Sequence, residues 1–411
     1  MAYPRQSIEL SAPELNQLVQ SFFHKPTDSG EIVHRFESAF AAFLGVKHAV
    51  SFGSQRAGML AALKALRQKE GEEVIVPAYT FFSVPACAVL AGFTPVFVDV
   101  DPKTWNLDPD QVKRAVTSRT RAIIVTHLNG CPADLESLVQ IAKNSGITLI
   151  EDCAQALGAT YHLKQVGSFG VGCFSFGEGK NLFAMGGGMI TTNDDGLAAE
   201  LRRDVDSSKS PGLGQIFTKT LRLLAFRTLT EPWVFSLTAF PLIYLSSLKN
   251  GKPDTDKEHA MEYLSPESLR EKWVNSQATL ALAQLGRLPQ RNEKRRENAR
   301  TLTHELGNIK GLETPPDPSD RTHLYMHYAL SIGERERFCR GLIRRGIDAQ
   351  RDYCSYCPGL PDFRPPGSLL PRKTPVAESL EGRIVYLPNQ PQLSKTDMVR
   401  IAHALKGVLT S

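Results

Sequence analysis

The hydrophobic pattern changes its period several times along the chain. Between residues 33 and 70, "RFESAFAAFLG" and "RAGMLAALKALRQ" carry apolar residues at spacings of three and four, which predicts two helices. The second stops near Gly71, and "KHAVSF" between them reads as a short strand. Strand-like runs then recur as "EEVIVPA", "TPVFVDV", "RAIIVTH", "GITLIEDC", "GVGCFSF" and "GMITTND". Helical stretches such as "PADLESLVQIAKNSG" lie between several of them. Short Val/Ile runs alternating with helices predict a mostly parallel sheet covered on both faces. Ligands of such sheets sit beyond the carboxyl ends of the strands.

The alternation breaks after "LAAELRRDVDSS". Residues 211–248 read "PGLGQIFTKTLRLLAFRTLTEPWVFSLTAFPLIYLSSL". The first half is amphipathic, with Lys219, Arg222 and Arg227 interrupting Leu and Phe, while the second is nearly uncharged and carries Trp233, Phe235, Phe240 and Tyr244. Three readings are open: a buried cap or dimer element, a segment lying in a lipid interface, or a membrane span. Glu231 and two prolines argue against an uninterrupted span of roughly twenty apolar residues. A polar linker, "KNGKPDTDKEH", leads to "NSQATLALAQLGRLPQRNEKRRENARTLTHELGN", whose arginine-rich half reads as the solvated face of a long helix. From about residue 310 the chain reads as a smaller α+β domain, with strands such as "HLYMHYALSI", a Pro-rich loop at 358–371 and a closing helix "SKTDMVRIAHALKGVL". The expected division is a large domain over 1–260, including an insertion at about 208–260, and a linking helix plus small domain over 261–411.

Composition narrows the classes. The 411 residues hold 48 basic and 43 acidic side chains, a formal charge of +5 spread along the chain. A nucleic-acid binder would concentrate its basic residues in a stripe, so no nucleic-acid partner is expected. Seven cysteines lack the dense spacing of a small secreted fold, and "MAYPRQSIELSAPELNQLVQ" has no basic region followed by an apolar core. A cytoplasmic location is the expectation, with peripheral attachment to the inner face of the membrane if the apolar block lies in lipid. Cys354 and Cys357 have CxxC spacing, but without a second ligand pair or a thioredoxin-like context they read as an incidental loop pair, and no metal is expected.

Chemistry gathers where two strands end. "IEDCAQALGA" places Asp152 after a central strand, with Gln155 three residues on, and "CFSFGEGK" brings Ser175 and Lys180 to the end of another. Together these side chains suit pyridoxal 5'-phosphate. A lysine amine forms the Schiff base and shuttles a proton, while a buried carboxylate keeps the pyridine nitrogen protonated and the ring an electron sink. Ser175 can donate to phosphate, Gln155 to the phenolic oxygen, and "YTFF" offers a ring to stack on. Each piece also has an ordinary reading: a helix-capping acid, a solvated lysine, a triple glycine that only makes a close turn. No GxxxxGK[ST] precedes Lys180, so this is not a Walker A loop.

The order of motifs resembles the DegT/DnrJ/EryC1/StrS group of pyridoxal-phosphate-dependent sugar aminotransferases. The resemblance runs through "RFESAFAAFLGVKHAV", "EEVIVPAYTFFSVPACAVLAGFTPVFVDVDPKTWNLDPDQ", "THLNGCPADL", "IEDCAQALGA", "SFGEGKNL" with "GGGMITTND", "QATLALAQLGRL" and "LPNQPQLSKTDMVRIAHAL", and omits about 208–260. It implies the fold type I aminotransferase architecture, a large domain with a mostly parallel seven-stranded sheet and a smaller C-terminal α+β domain. By the same resemblance Lys180 is the Schiff-base lysine, Asp152 the partner of the pyridine nitrogen, Gln155 a contact to the phenolic oxygen, Ser175 a phosphate ligand and Phe81 the stacking ring. A homodimer with active sites near the subunit interface is also implied.

The chain departs from the group in four places. Ser-Gly-Thr at the turn into the second N-terminal helix becomes Ser54, Gln55 and Arg56, where Arg56 either grips phosphate as a charged fork or faces solvent. A proline common before the reactive lysine is replaced within "GEG". The Asn of an Asn-x-Arg stretch, which in the group reaches the neighbouring subunit's phosphate, is met by Arg270 in "SLREKWVNSQATLALAQL". A Gly-Trp stretch near the substrate cleft is reduced to "HKPTDSGEIVHRFE". The expected reaction is amino transfer from glutamate or glutamine to a keto sugar, with a nucleotide-linked acceptor implied by the group. The apolar block adds a lipid-linked or other non-nucleotide acceptor as an alternative. The group's dehydratase branch replaces the lysine by histidine, so Lys180 disfavours it. Intact Lys180 and Asp152 also disfavour a non-catalytic regulatory member.

Overall fold

The computed structural model of the chain describes residues 1–23, 25–248, 269–307, 309–351, 353–363 and 373–410. The "KNGKPDTDKEH" linker, the boundary expected at residue 260 and residues 364–371 of the Pro-rich loop lie outside the described residues. Among those described, seven strands form the main sheet: β1 (His48–Phe52), β2 (Glu73–Pro77), β3 (Thr94–Val98), β4 (Thr120–Thr126), β5 (Thr148–Asp152), β6 (Val171–Ser175) and β7 (Gly188–Thr192). Their spatial order is β1-β7-β6-β5-β4-β2-β3, parallel from β6 to β3 and antiparallel where β7 meets β6 and β1. These are the seven runs named from the sequence.

Helices cover both faces. They are α1 (Ala12–Ser21), α2 (Glu31–Leu44), α3 (Gln55–Leu66), α4 (Ser83–Leu90), α5 (Pro109–Ala115), α6 (Leu135–Ser145) and α7 (Asp195–Asp206). The insertion supplies α8 (Leu213–Leu229), α9 (Pro232–Leu237) and α10 (Ala239–Leu248). After it come α11 (Asn275–Leu285), α12 (Leu288–Leu306), α13 (Arg335–Arg344), α14 (Pro375–Leu380) and α15 (Lys395–Leu409). On one face α3 and α4 pack over Val74, Val76, Ile124 and Ile150. On the other α2, α6 and α11 pack over Ile75, Ile123, Val125 and Leu149. Alternate residues of each strand thus enter opposite cores, as the period of two requires.

The small domain is a four-stranded sheet of Leu312–Glu313, Tyr328–Ile332, Ile384–Leu387 and Gln350–Arg351, backed by α12, α13 and α15. The strand read from "HLYMHYALSI" begins only at Tyr328. Tyr325 has φ 49°, and the Leu324 N–H donates to Gly130 O, so this stretch docks onto the large domain before joining its own sheet. The long helical reading after residue 275 divides into α11 and α12, where Pro289 removes a backbone donor. Its arginine-rich half is not all solvated. Arg291 and Arg295 are only 6% and 8% exposed, and Arg291 reaches Glu14 Oε2 at 2.8 Å.

Within the insertion, α8 and α9 put Ile216, Leu223 and Phe235 inside. Leu223 and the partly buried Phe226 join a satellite core with Leu18, Phe183, Met185 and Leu280. Leu213, Phe217, Leu221, Trp233, Leu237, Leu242 and Leu245 remain exposed. No described helix is long and apolar enough to cross a membrane.

Candidate active site

Three elements converge at the carboxyl end of the sheet. The ends of β5 and β6 supply Asp152 and Ser175, the N-terminus of α3 supplies Ser54, Gln55 and Arg56, and the turn after β6 supplies Lys180. All six line one cavity of about 450 Å³, together with Phe81, Gln155, Lys219, Glu271 and Tyr353. Arg270 is exposed and outside that lining; its carbonyl accepts from Lys209 N–H at 2.9 Å, and its neighbour Glu271 faces the cavity instead.

The triple glycine makes this convergence possible. Gly187 has φ 106°, and a Cβ there would lie 2.3 Å from the Trp273 ring nitrogen. A Cβ on Gly188 would lie 2.3 Å from the Gln55 backbone nitrogen. Only bare backbone lets β7 run this close to the start of α3.

Asp152 is buried, and its Oδ1 accepts from Gln55 Nε2 at 2.5 Å and from Ala154 N–H at 3.1 Å. Burial raises its carboxyl above the usual carboxylate range, while the Ala154 and Gln55 donors, Lys180 and His127 pull it back. Gln155 Oε1 accepts from Asn129 N–H at 2.9 Å. That bond fixes the amide, so its NH₂ group is the end left for a ligand. Lys180 Nζ donates to the Tyr353 hydroxyl at 2.7 Å. Tyr353 is in turn packed against Phe81 and His327, with ring centroids 5.5 Å and 4.6 Å away. At the α3 end the Ser54 hydroxyl is engaged by Ala57 N–H at 3.1 Å, and Ser175 Oγ accepts from Gly177 N–H at 3.4 Å. Lys219, from α8, pairs with Glu271 at 2.9 Å.

Tyr353, Lys219 and Glu271 escaped the sequence reading. Tyr353 sits in the "YCSYC" run, where the CxxC spacing drew attention, and Lys219 read only as an interruption of an apolar stripe. Cys354 and Cys357 are both buried, unbridged thiols. His127, Glu151 and Cys153 cluster beneath Asp152, but their atoms are already engaged. Glu151 accepts from the N–H groups of Gly167, Phe169 and Gly170 and from His127 Nε2, His127 Nδ1 accepts from Ala133 N–H, and burial pushes the Cys153 thiol well up. The trio is a structural network under the site.

The cavity's donor set fits pyridoxal phosphate. It offers an amine for a carbonyl carbon, a desolvated carboxylate with no protein donor on its Oδ2 among the described residues, an amide NH₂, an aromatic face and the N–H groups of a helix start for an anion. Comparisons with known proteins agree. The sequence pattern of the DegT/DnrJ/EryC1/StrS aminotransferase family matches residues 9–221 and 249–406, leaving out most of the apolar insertion. A pleiotropic regulatory protein of Geobacillus stearothermophilus is 33% identical over 77% of this chain and 73% of its own length. The UDP-N-acetyl-3-dehydro-alpha-D-glucosamine 3-aminotransferase of Acidithiobacillus ferrooxidans is 31% identical over 91% of this chain and 87% of its own. An aminotransferase structure from Psychrobacter cryohalolentis superposes with a TM-score of 0.77 at 25% identity, covering 100% of this chain and 99% of that one. By sequence, fold and cavity alike, the chain belongs to the DegT/DnrJ/EryC1/StrS aminotransferase family and is a pyridoxal-phosphate-dependent aminotransferase.

Proposed function

We propose that the chain transfers an amino group from glutamate or glutamine to a keto sugar, most simply a nucleotide-linked one, as part of polysaccharide or sugar biosynthesis. The observation that carries this reading is the shared cavity of Lys180, Asp152 and Gln155, in a chain 31% identical to an enzyme named for a nucleotide-linked keto sugar. Bound pyridoxal phosphate supplies the electron sink for breaking and remaking a C–H bond next to nitrogen. Lys180 would hold the cofactor covalently, and its amine would take the Cα proton from the donor and later return a proton to the sugar carbon. Asp152 would hold the ring nitrogen's positive charge, Gln155 would donate to the phenolic oxygen, Phe81 would cover the ring face, and Ser54, Arg56 and Ser175 with the α3 N–H groups would hold the phosphate. The net exchange gives a keto acid and an amino sugar. In a homodimer of the kind the family resemblance implies, the partner subunit would close this cleft and Arg270, exposed in the single chain, would contribute to the partner's phosphate site.

The test is amino transfer from glutamate to a panel of nucleotide-linked keto hexoses by the reconstituted protein. Lys180→Ala should lose both turnover and covalent cofactor attachment. A variant that keeps its half-reaction would overturn the assignment.

We further propose that the enzyme works on the cytoplasmic face of a membrane, beside a membrane-bound partner or on a lipid-linked acceptor. Support comes from α8–α10, which expose Phe217, Trp233 and Leu237 at 63%, 66% and 75% and carry Glu231 as their only acid over 213–248. Flotation with anionic vesicles should recover the intact chain and not one lacking residues 214–248. Equal recovery of both folded proteins away from lipid would count against attachment.

A further inference from the structure

The amide of Gln55 lies in the heart of the cavity, and its position points to a task beyond lining it. Gln55 is the first residue of α3, held against the sheet by the contact with Gly188. From there its side chain crosses to the ends of β5 and β6. Nε2 donates to Asp152 Oδ1 at 2.5 Å and to Cys173 O at 3.3 Å, so both amide hydrogens are spent on protein acceptors. The Cys173 carbonyl accepts only from a donor, which sets the amide with nitrogen, not oxygen, toward the carboxylate. Asp152 Oδ1 is thereby filled by Gln55 and Ala154, and among the described residues Oδ2 is the oxygen with no protein donor.

We propose that Gln55 is a positioning residue that anchors Asp152 through Oδ1, turns Oδ2 toward the cofactor's ring nitrogen, and by donating to the carboxylate keeps the shared proton on that nitrogen. The proposal rests on Asp152 being the ring nitrogen's partner. Its physical basis is that a donor on a carboxylate favours the charged form. In a buried pair the proton belongs either to carboxyl or to nitrogen, and stabilising the carboxylate moves it to nitrogen. A protonated nitrogen makes the ring the stronger electron sink. Ala154 cannot take over this task, because its N–H already points at Oδ1.

The experiment loads the full-length enzyme with pyridoxal phosphate labelled with ¹⁵N in the ring and reads that nitrogen's resonance at fixed pH. It compares wild type, Gln55→Leu, Gln55→Ala and Asp152→Asn. Both Gln55 variants should shift the resonance toward the neutral ring, corresponding to about tenfold less proton on nitrogen, the effect of one hydrogen bond to a buried charge. The donor half-reaction should slow by a similar factor with KM nearly unchanged. A resonance unmoved in both Gln55 variants but moved in Asp152→Asn overturns the role of Gln55 and leaves the Asp152 reading standing. Tighter cofactor binding by both Gln55 variants without a change in resonance also overturns it, showing the amide to be a plug. A resonance unmoved in Asp152→Asn removes the reading on which the proposal rests.

Discussion

At the scale of single residues, the site depends on which atoms are already engaged. Gln155 is useful because Asn129 takes its oxygen, and Glu151 is not a ligand because its oxygens are filled by backbone N–H groups and His127. Lys180 is held by Tyr353, a small-domain hydroxyl 173 positions away in sequence. Tyr353→Phe keeps the ring packed on Phe81 and His327 but removes that partner. The donor half-reaction should slow roughly tenfold while cofactor loading is unchanged, as expected for the loss of one hydrogen bond that positions the lysine. Rapid-mixing absorbance measures this, and a rate equal to wild type would show that the hydroxyl is a bystander. Asp152, Gln155, Ser175 and Lys180 stood out in the sequence because each lies at or just beyond the end of a recognisable strand, and the family resemblance gave them roles. Tyr353 did not, since its role exists only after two distant segments meet.

At the scale of elements, α8 does two jobs with one helical turn geometry. Its inner stripe, Ile216, Thr220 and Leu223, packs under the site and carries Lys219 into the cavity. Its outer stripe, Leu213, Phe217, Leu221 and Leu224, faces outward. Leucine changes on the two stripes should therefore differ. Leu223→Ala, at 2% exposure, should cost about 2–5 kcal/mol of unfolding free energy through a cavity in the satellite core. Leu221→Ala, at 58%, should stay within about 0.5 kcal/mol. Urea unfolding of the two variants decides it; equal losses would mean that the outer stripe is buried in solution by another molecule. Amphipathic periodicity in α8 does not say what covers its outer stripe, which is why the sequence left three readings of the insertion open. The span reading is the one the described helices remove.

At the scale of the whole molecule, the two domains meet where charge is least affordable. His327, at the docking stretch of the small domain, is held down to about 3 from its ordinary 6.5 by burial first, then by Lys180 and Arg295. Between those values the unfolded chain binds a proton that the folded chain refuses, so stability falls as pH falls. The slope from this group is about 1.4 kcal/mol per pH unit. Cofactor-free wild type should lose urea resistance from pH 6.5 to 5, and His327→Gln should show a flatter curve over that window. Parallel curves would place the imidazole in contact with water.

The seven strands, several of the flanking helices and the residues at the ends of β5 and β6 were legible in the chain alone. The reason is that strand period, helix caps and short offsets are local, and local geometry is written in neighbouring residues. The family resemblance extended this to the cofactor and the two-domain plan. Packing was needed to show that Gln55 reaches Asp152, that Lys219 and Glu271 border the cavity while Arg270 stands outside it, and that Arg291 and Arg295 are buried. Those outcomes turn on which side chains the packing brings within hydrogen-bond reach across intervals of fifty to three hundred residues. No periodic pattern encodes a meeting at that distance; bare backbone at Gly188 accounts for the close approach of Gln55, and the others follow from how helices and domains pack.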